Sequence, residues 1–140
     1  MATPVVKIVF LGDISLCRSV EDHFHEFQRI ADPGIYEYLK RFDLVIVNLE
    51  SPIASKVGGK NEFKHAVLKA NPKMVSALSD FGVNVCTLAN NHILDFGNEA
   101  AKETMELLKK HGISFLGAGE NRKEASRPLI VEVAGYKVGF

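Results

Sequence analysis

Little in this chain acts at long range. Lysine plus arginine and aspartate plus glutamate each number 17, so the formal net charge is zero. No whole-molecule field draws in nucleic acid or an anionic membrane. Cysteine is scarce: Cys17 and Cys86 are the two present, and neither belongs to a CxxC or His-rich zinc pattern. Buried reduced thiols are the expectation, with a disulfide open only if the two strand ends are neighbours. No stretch approaches the roughly 20 apolar residues of a membrane-spanning helix. The opening MATPVVKIVFLGD lacks the charged n-region and long h-region of a secretion signal. The chain is therefore expected in the cytoplasm, or else it has lost a leader. Repeats and low-complexity tracts are also missing.

What is there fits one globular domain. The 140 residues are 46% apolar and 24% charged, enough for a real core and too few for two ordinary domains. VVKIVFLGD is a β-branched run closed by Gly12 and Asp13, which predicts a strand over Val5 to Leu11. Helical spacing follows from Val20 to Arg41, split in two by ADPG with Pro33 in the first turn of the second piece. DLVIVNLE repeats the strand design over Leu44 to Val47, and SPIASKVGGKNEF reads as an exposed loop. Asn71 and Pro72 signal the next helix start and Gly82 its stop. VNVCTLA is a third strand, Asn98 to Lys110 a helix, ISFLGAG a fourth strand, and Arg122 to Ala125 a helical turn. PLIVEV and YKVGF make two more strands around Ala134 and Gly135. Continuously apolar strands alternating with helices predict an α/β fold whose mainly parallel sheet is flanked by helices. Right-handed crossovers then place the carboxyl ends of the strands on one edge.

That edge is where the polar residues fall. Asp13 closes the first strand, Asn48 and Glu50 the second, and Asn90, Asn91 and His92 the third. Ligands of open α/β sheets bind outside these ends, so the groups are expected to converge on one crevice. Two carboxylates, amide oxygens and an imidazole suit a hard or borderline divalent cation, and without one the carboxylates repel each other. Taken singly, each residue has an ordinary explanation: Asp13 and Asn91 as helix caps, Asn48 in a turn, His92 in a loop. Their recurrence at three successive strand ends favours a site. Asp95 either orients His92 or simply precedes the helix. Lys64 and His65 are candidates for a substrate rim, against the usual reading of such a pair as solvated surface. GAGEN at 117–121 lacks the spacing of a phosphate loop and reads as a tight turn at a strand end, with room to form the floor of the site.

In order, FLGDISL, DLVIVNLESPI, GVNVCTLANNHILDFG, LLKKHGISFLGAG and EASRPLIVEVAGYKVGF resemble the amino-terminal half of the capsule-synthesis CapA family, also called PGA_cap. The resemblance runs over nearly the whole chain, and the NxES and ANNHxxDxG segments carry it in combination. It implies kinship with the calcineurin-like metallophosphoesterases, which hold two divalent metals at the strand ends. Carried over residue by residue, Asp13 is the first acidic ligand, Glu50 the bridging acid, Asn91 the amide ligand and His92 the general acid; Asn48 and Asn90, at the same strand ends, are expected to bind substrate. Such a site, with Mn²⁺, Mg²⁺ or Zn²⁺, activates a bound water for attack on phosphorus or polarises an acyl phosphate. The family is tied to synthesis or export of poly-γ-glutamate capsules, and its members are often membrane-associated.

Two departures stand against full activity. Ser15 occupies the position where phosphoesterases carry a histidine, and no remaining histidine sits at a comparable later strand end. The chain is thus expected to be an inactive part of a larger metallophosphoesterase-like domain that binds one hard cation weakly or none. YKVGF stops as an apolar strand, so a fragment, a trimmed product or a half that pairs with a second copy through that edge is expected. An anionic polymer or a phosphorylated small substrate is the expected ligand. The alternative is a non-catalytic module that recognises such a polymer or a synthase.

Overall fold

A computed structural model describes residues 5–55, 58 and 65–140. Four parallel strands lie in the order β1 (Ile8–Ile14), β2 (Leu44–Leu49), β3 (Val85–Thr87) and β4 (Ser114–Leu116). Between them run α1 (Ser19–Phe27) and α2 (Pro33–Leu39), then a 3-10 turn (Pro72–Met74) leading into α3 (Val75–Asp80), then α4 (Gly97–Lys110). After β4 come α5 (Arg122–Ala125) and an antiparallel hairpin of β5 (Ile130–Val133) and β6 (Tyr136–Gly139).

Sequential parallel order with right-handed crossovers puts every connection on the same side of a sheet. Phe24 of α1, Leu39 of α2, Leu78 of α3 and Leu108 of α4 accordingly share one buried cluster with Val45, Val47, Leu49 and Cys86. Strand alternation sends Phe10, Ile46, Asn48, Val85 and Thr87 to the opposite face. There Phe10 meets the ring of Phe140, which follows the hairpin, edge-on with centroids 6.2 Å apart. The sheet is thus flanked by helices on one face and by a hairpin on the other.

The first strand starts and ends three residues later than its composition predicts, and Gly12 does not stop it. Phe10 pairs with Ile46, but Asp13 rather than Gly12 pairs with Asn48, so β1 carries one extra residue in a bulge. With regular pairing Gly12 would oppose Asn48 and Asp13 would turn toward the helices. The bulge instead brings Asp13 onto the face of Asn48 and Thr87.

The predicted helix break at ADPG is present, with Asp32 accepting from the Gly34 amide as N-cap. Asn71 likewise accepts from Lys73 N. Cys17 and Cys86 are both free and buried. Cys86 sits on β3, with β2 between it and β1, and burial pushes its thiol up to about 12. It is packing, not chemistry.

Candidate functional site at the strand ends

Direct hydrogen bonds join three of the predicted positions. Asn48 Nδ2 donates to Asp13 Oδ1 at 2.7 Å, and Asn48 Oδ1 accepts from Asn90 Nδ2 at 3.1 Å. The Thr87 hydroxyl donates to the same Asn48 oxygen at 3.0 Å. Asp13 is exposed, so the amide holds one carboxylate oxygen at the edge of solvent. Glu50 follows β2 directly, half-buried, with its backbone N–H donating to Ile14 O at 3.0 Å. Adjacent strand ends therefore carry the two carboxylate residues.

Asn90 organises the turn after β3. Its amide nitrogen also donates to Leu49 O at 2.9 Å, and its oxygen accepts from His92 N at 2.9 Å and Ile93 N at 3.1 Å. With two bonds given and two received, the amide is saturated. The structure thereby gives Asn90 the work of a framework and leaves it no free hydrogen bond for a substrate. Neither Asp13 nor Asn91 caps a helix: Arg18 precedes α1 and Phe96 precedes α4, both without a side-chain cap bond. Asn91 is exposed beside His92.

His92 Nδ1 lies 2.7 Å from Asp95 Oδ2, and the Asp95 side chain is fully buried while that of His92 is 16% exposed. The same carboxylate oxygen accepts from Leu68 N at 2.8 Å, which fastens the preceding segment beneath the histidine. A buried acceptor at Nδ1 keeps the proton on that nitrogen and leaves Nε2 as the atom able to exchange one with a ligand. Of the two readings of Asp95, the geometry is that of an orienting partner. His65 is exposed three residues before Leu68, and Lys64 lies outside the described residues.

GAGEN is a close-packed turn. Gly117 has φ +84°, and a Cβ there would stand 2.6 Å from Ala89 Cβ and 2.8 Å from Ala89 N. Only glycine lets the end of β4 approach the residue before Asn90 this closely. Two further residues escaped sequence reasoning. Buried Ser51 receives the Leu16 amide at 2.9 Å and so pins the loop after β1. Thr87 was hidden in an apolar strand, though as a polar residue in register with Asn48 it carried a signal. The same β1 loop holds Arg18 at φ 58°, ψ −131°, a conformation that side chains other than glycine rarely adopt.

Among the described residues no three of His, Cys, Asp and Glu gather as a metal cage. The strand ends offer two carboxylates, the Asn91 amide and one imidazole. That donor set fits a hard cation that keeps several waters better than a tightly held pair.

The family described as bacterial capsule synthesis protein PGA_cap matches residues 7–140. The capsule biosynthesis protein CapA of Bacillus anthracis is 30% identical over 136 residues, 95% of this chain and 33% of the relative. The PGA biosynthesis protein CapA of Bacillus subtilis is 30% identical over 129 residues, 89% of this chain and 33% of its own length. A probable polyglutamine synthesis accessory protein of Mycobacterium tuberculosis is 37% identical over 91 residues, 65% of this chain and 24% of its own. The chain spans about one third of the two CapA proteins.

Proposed function

Because this chain belongs to the bacterial capsule synthesis protein PGA_cap family, we propose that it serves poly-γ-glutamate or capsule biosynthesis through a cation-dependent phosphoesterase-like or phosphotransfer site. The ligands in this reading are Asp13, Glu50 and Asn91, and the bound ion is Mg²⁺, Mn²⁺ or Zn²⁺. The observation that carries it is the pairing of a carboxylate held at the rim by Asn48 with the His92–Asp95 dyad in the turn that Asn90 ties to the same strand end. A cation bound there supplies positive charge that polarises a phosphoryl oxygen. The chain's own residues do the rest. Asp95 holds the His92 ring, and His92 Nε2 gives its proton to the leaving oxygen as the phosphorus–oxygen bond breaks; water supplies the new bond, and the proton it sheds returns to His92 Nε2. The substrate is a phosphorylated small molecule or an acyl phosphate, and the working compartment is the cytoplasm or its membrane face.

A second reading is favoured by two features: Ser15 stands where a nitrogen ligand would be needed, and the described residues hold no cage of three strong ligands. On that reading the domain is a non-catalytic module for an anionic polymer or a synthase, or pairs with a second copy through β6.

Mn²⁺ titration followed by electron paramagnetic resonance separates the two. The first reading expects weak binding by the 140-residue chain, lost in Asp13→Asn and Glu50→Gln and kept in His92→Gln, with negligible hydrolysis of a generic phosphodiester. No Mn²⁺ binding at millimolar concentration would leave the binding module. Turnover by this chain alone with two tightly bound ions would overturn the ligand assignment.

A further inference from the structure

Asn48 is the only described residue that bonds directly to the Asp13 carboxylate, and its amide has two possible orientations. In one, nitrogen faces Asp13 and oxygen faces Thr87 and Asn90. In the other, an amide oxygen would face a carboxylate and an amide N–H₂ would face the Asn90 N–H₂, so repulsion arises at both ends. The Asp13 carboxylate makes the choice at one end, and the donors around Asn48 Oδ1 make it at the other. Asn90 supplies one, but Asn90 has its own reasons to be there, since its amide also binds Leu49 O, His92 N and Ile93 N. Thr87 differs. Its hydroxyl has one bond, to Asn48 Oδ1. It sits directly beside Asn48 in the β2–β3 register, half-buried, on the face to which the β1 bulge brings Asp13.

We propose that Thr87 is a positioning residue: its hydroxyl locks the Asn48 amide so that the N–H₂ group grips Asp13 Oδ1 and leaves Oδ2 free for a cation. The inference rests on the cation-site reading above and extends it by one shell. A β-branched residue suits a central strand on packing grounds alone, so valine would serve the fold equally well. The hydroxyl is what packing does not explain.

The variants Thr87→Val and Thr87→Ser separate the two roles, because the first keeps shape and removes the donor while the second keeps the donor. The deciding readout is the side-chain amide pair of Asn48 in nitrogen-edited NMR spectra of the cation-free chain. It is expected to be shifted and slow to exchange in the parent and in Thr87→Ser, and to move to solvent-like shifts and exchange in Thr87→Val with the fold otherwise intact. Mn²⁺ titration adds the link to the site: affinity should fall roughly tenfold in Thr87→Val, as loss of an outer hydrogen bond to a ligand does elsewhere, and return in Thr87→Ser. Unchanged Asn48 amide signals in Thr87→Val would overturn the proposal. If the parent chain itself binds no Mn²⁺, the cation reading fails, and the NMR result still decides whether Thr87 sets the amide.

Discussion

On one face of the sheet, Val45, Val47, Leu49 and Cys86 close a single apolar cluster with side chains from all four crossover helices. On the other, Ile46 and Val85 are buried too, but Phe10 on the edge strand stays 68% exposed even though its ring touches Phe140. Yet the candidate site belongs to this second face, where Asp13, Asn48 and Thr87 project together beyond the apolar rows. The contrast shows that the closed helix face fixes where the strands lie, while the hairpin face is open only at its β1 edge and beyond the carboxyl ends of the strands, which stay reachable. A polar network takes over there from packing as the means of holding side chains in place.

The comparison is tested most severely by truncating one residue on each face. Leu78 is fully buried among the helices, and Leu78→Ala should cost about 3 kcal/mol through lost burial and a residual cavity. Phe10→Ala should cost no more than about 1 kcal/mol, because most of that ring already meets water. Urea unfolding at neutral pH measures both. Equal losses would mean that the hairpin face is a second core.

A smaller loss is expected where the two ends of β3 and β4 touch. Gly117→Ala puts a methyl group 2.6 Å from Ala89 Cβ in a left-handed backbone, and should cost about 2 kcal/mol. Adding Ala89→Gly should recover only the part due to the Ala89 methyl, because the approach to Ala89 N at 2.8 Å and the left-handed backbone both remain. If instead Gly117→Ala is silent by thermal melting, the turn before Asn90 is not held from β4.

These cases also show what could be read in advance. The alternation of apolar strands with helices, the break at ADPG and the cap at Asn71 are local signals, and they gave the α/β order correctly. The polar residues at three strand ends pointed to one edge because right-handed crossovers leave no other arrangement. What stayed hidden was non-local. A bulge that carries β1 on past Gly12 depends on pairing with β2, so neither the extent of the strand nor the facing of Asp13 could be seen in its own residues. The same holds for Asn90, whose saturated amide depends on Leu49 and Asn48, some forty positions away. Gly117 was legible as a tight turn at a strand end, but only its neighbour Ala89 explains why the residue must be glycine.

The closed face should also reveal itself through pH. The Cys86 thiol is raised from 9.0 to about 12 by desolvation, so between those values the unfolded chain has lost a proton that the folded chain retains. Folded-state stability from this group is complete below pH 9 and declines as pH rises through the window, by up to about 1.4 kcal/mol per pH unit. Cys86→Val should flatten that alkaline limb in urea titrations between pH 9 and 10.5. A slope unchanged by the substitution would assign it to other groups and weaken the picture of a water-free helix face.

The smallest effect concerns the thin cover itself. The β5–β6 turn places Ala134 at φ 49° and Gly135 at φ 82°, the pair of positive angles that a type I′ turn requires and that asparagine followed by glycine adopts most readily. Alanine there is strained, because its Cβ crowds the following carbonyl. Ala134→Asn should relieve part of that strain and stabilise the hairpin by about 0.5 kcal/mol. Two measurements decide where the gain appears. If the hairpin folds as one unit with the sheet, the urea midpoint of the whole chain rises. If the open face is a separate cooperative unit, the global midpoint stays fixed, and the gain shows only as slower amide exchange in the hairpin, at Val131 and Val138. The second outcome would fit the exposed ring of Phe10 on the edge strand, where the hairpin covers least. A variant less stable than the parent by both measurements would mean that Ala134 contributes contacts that outweigh its backbone strain.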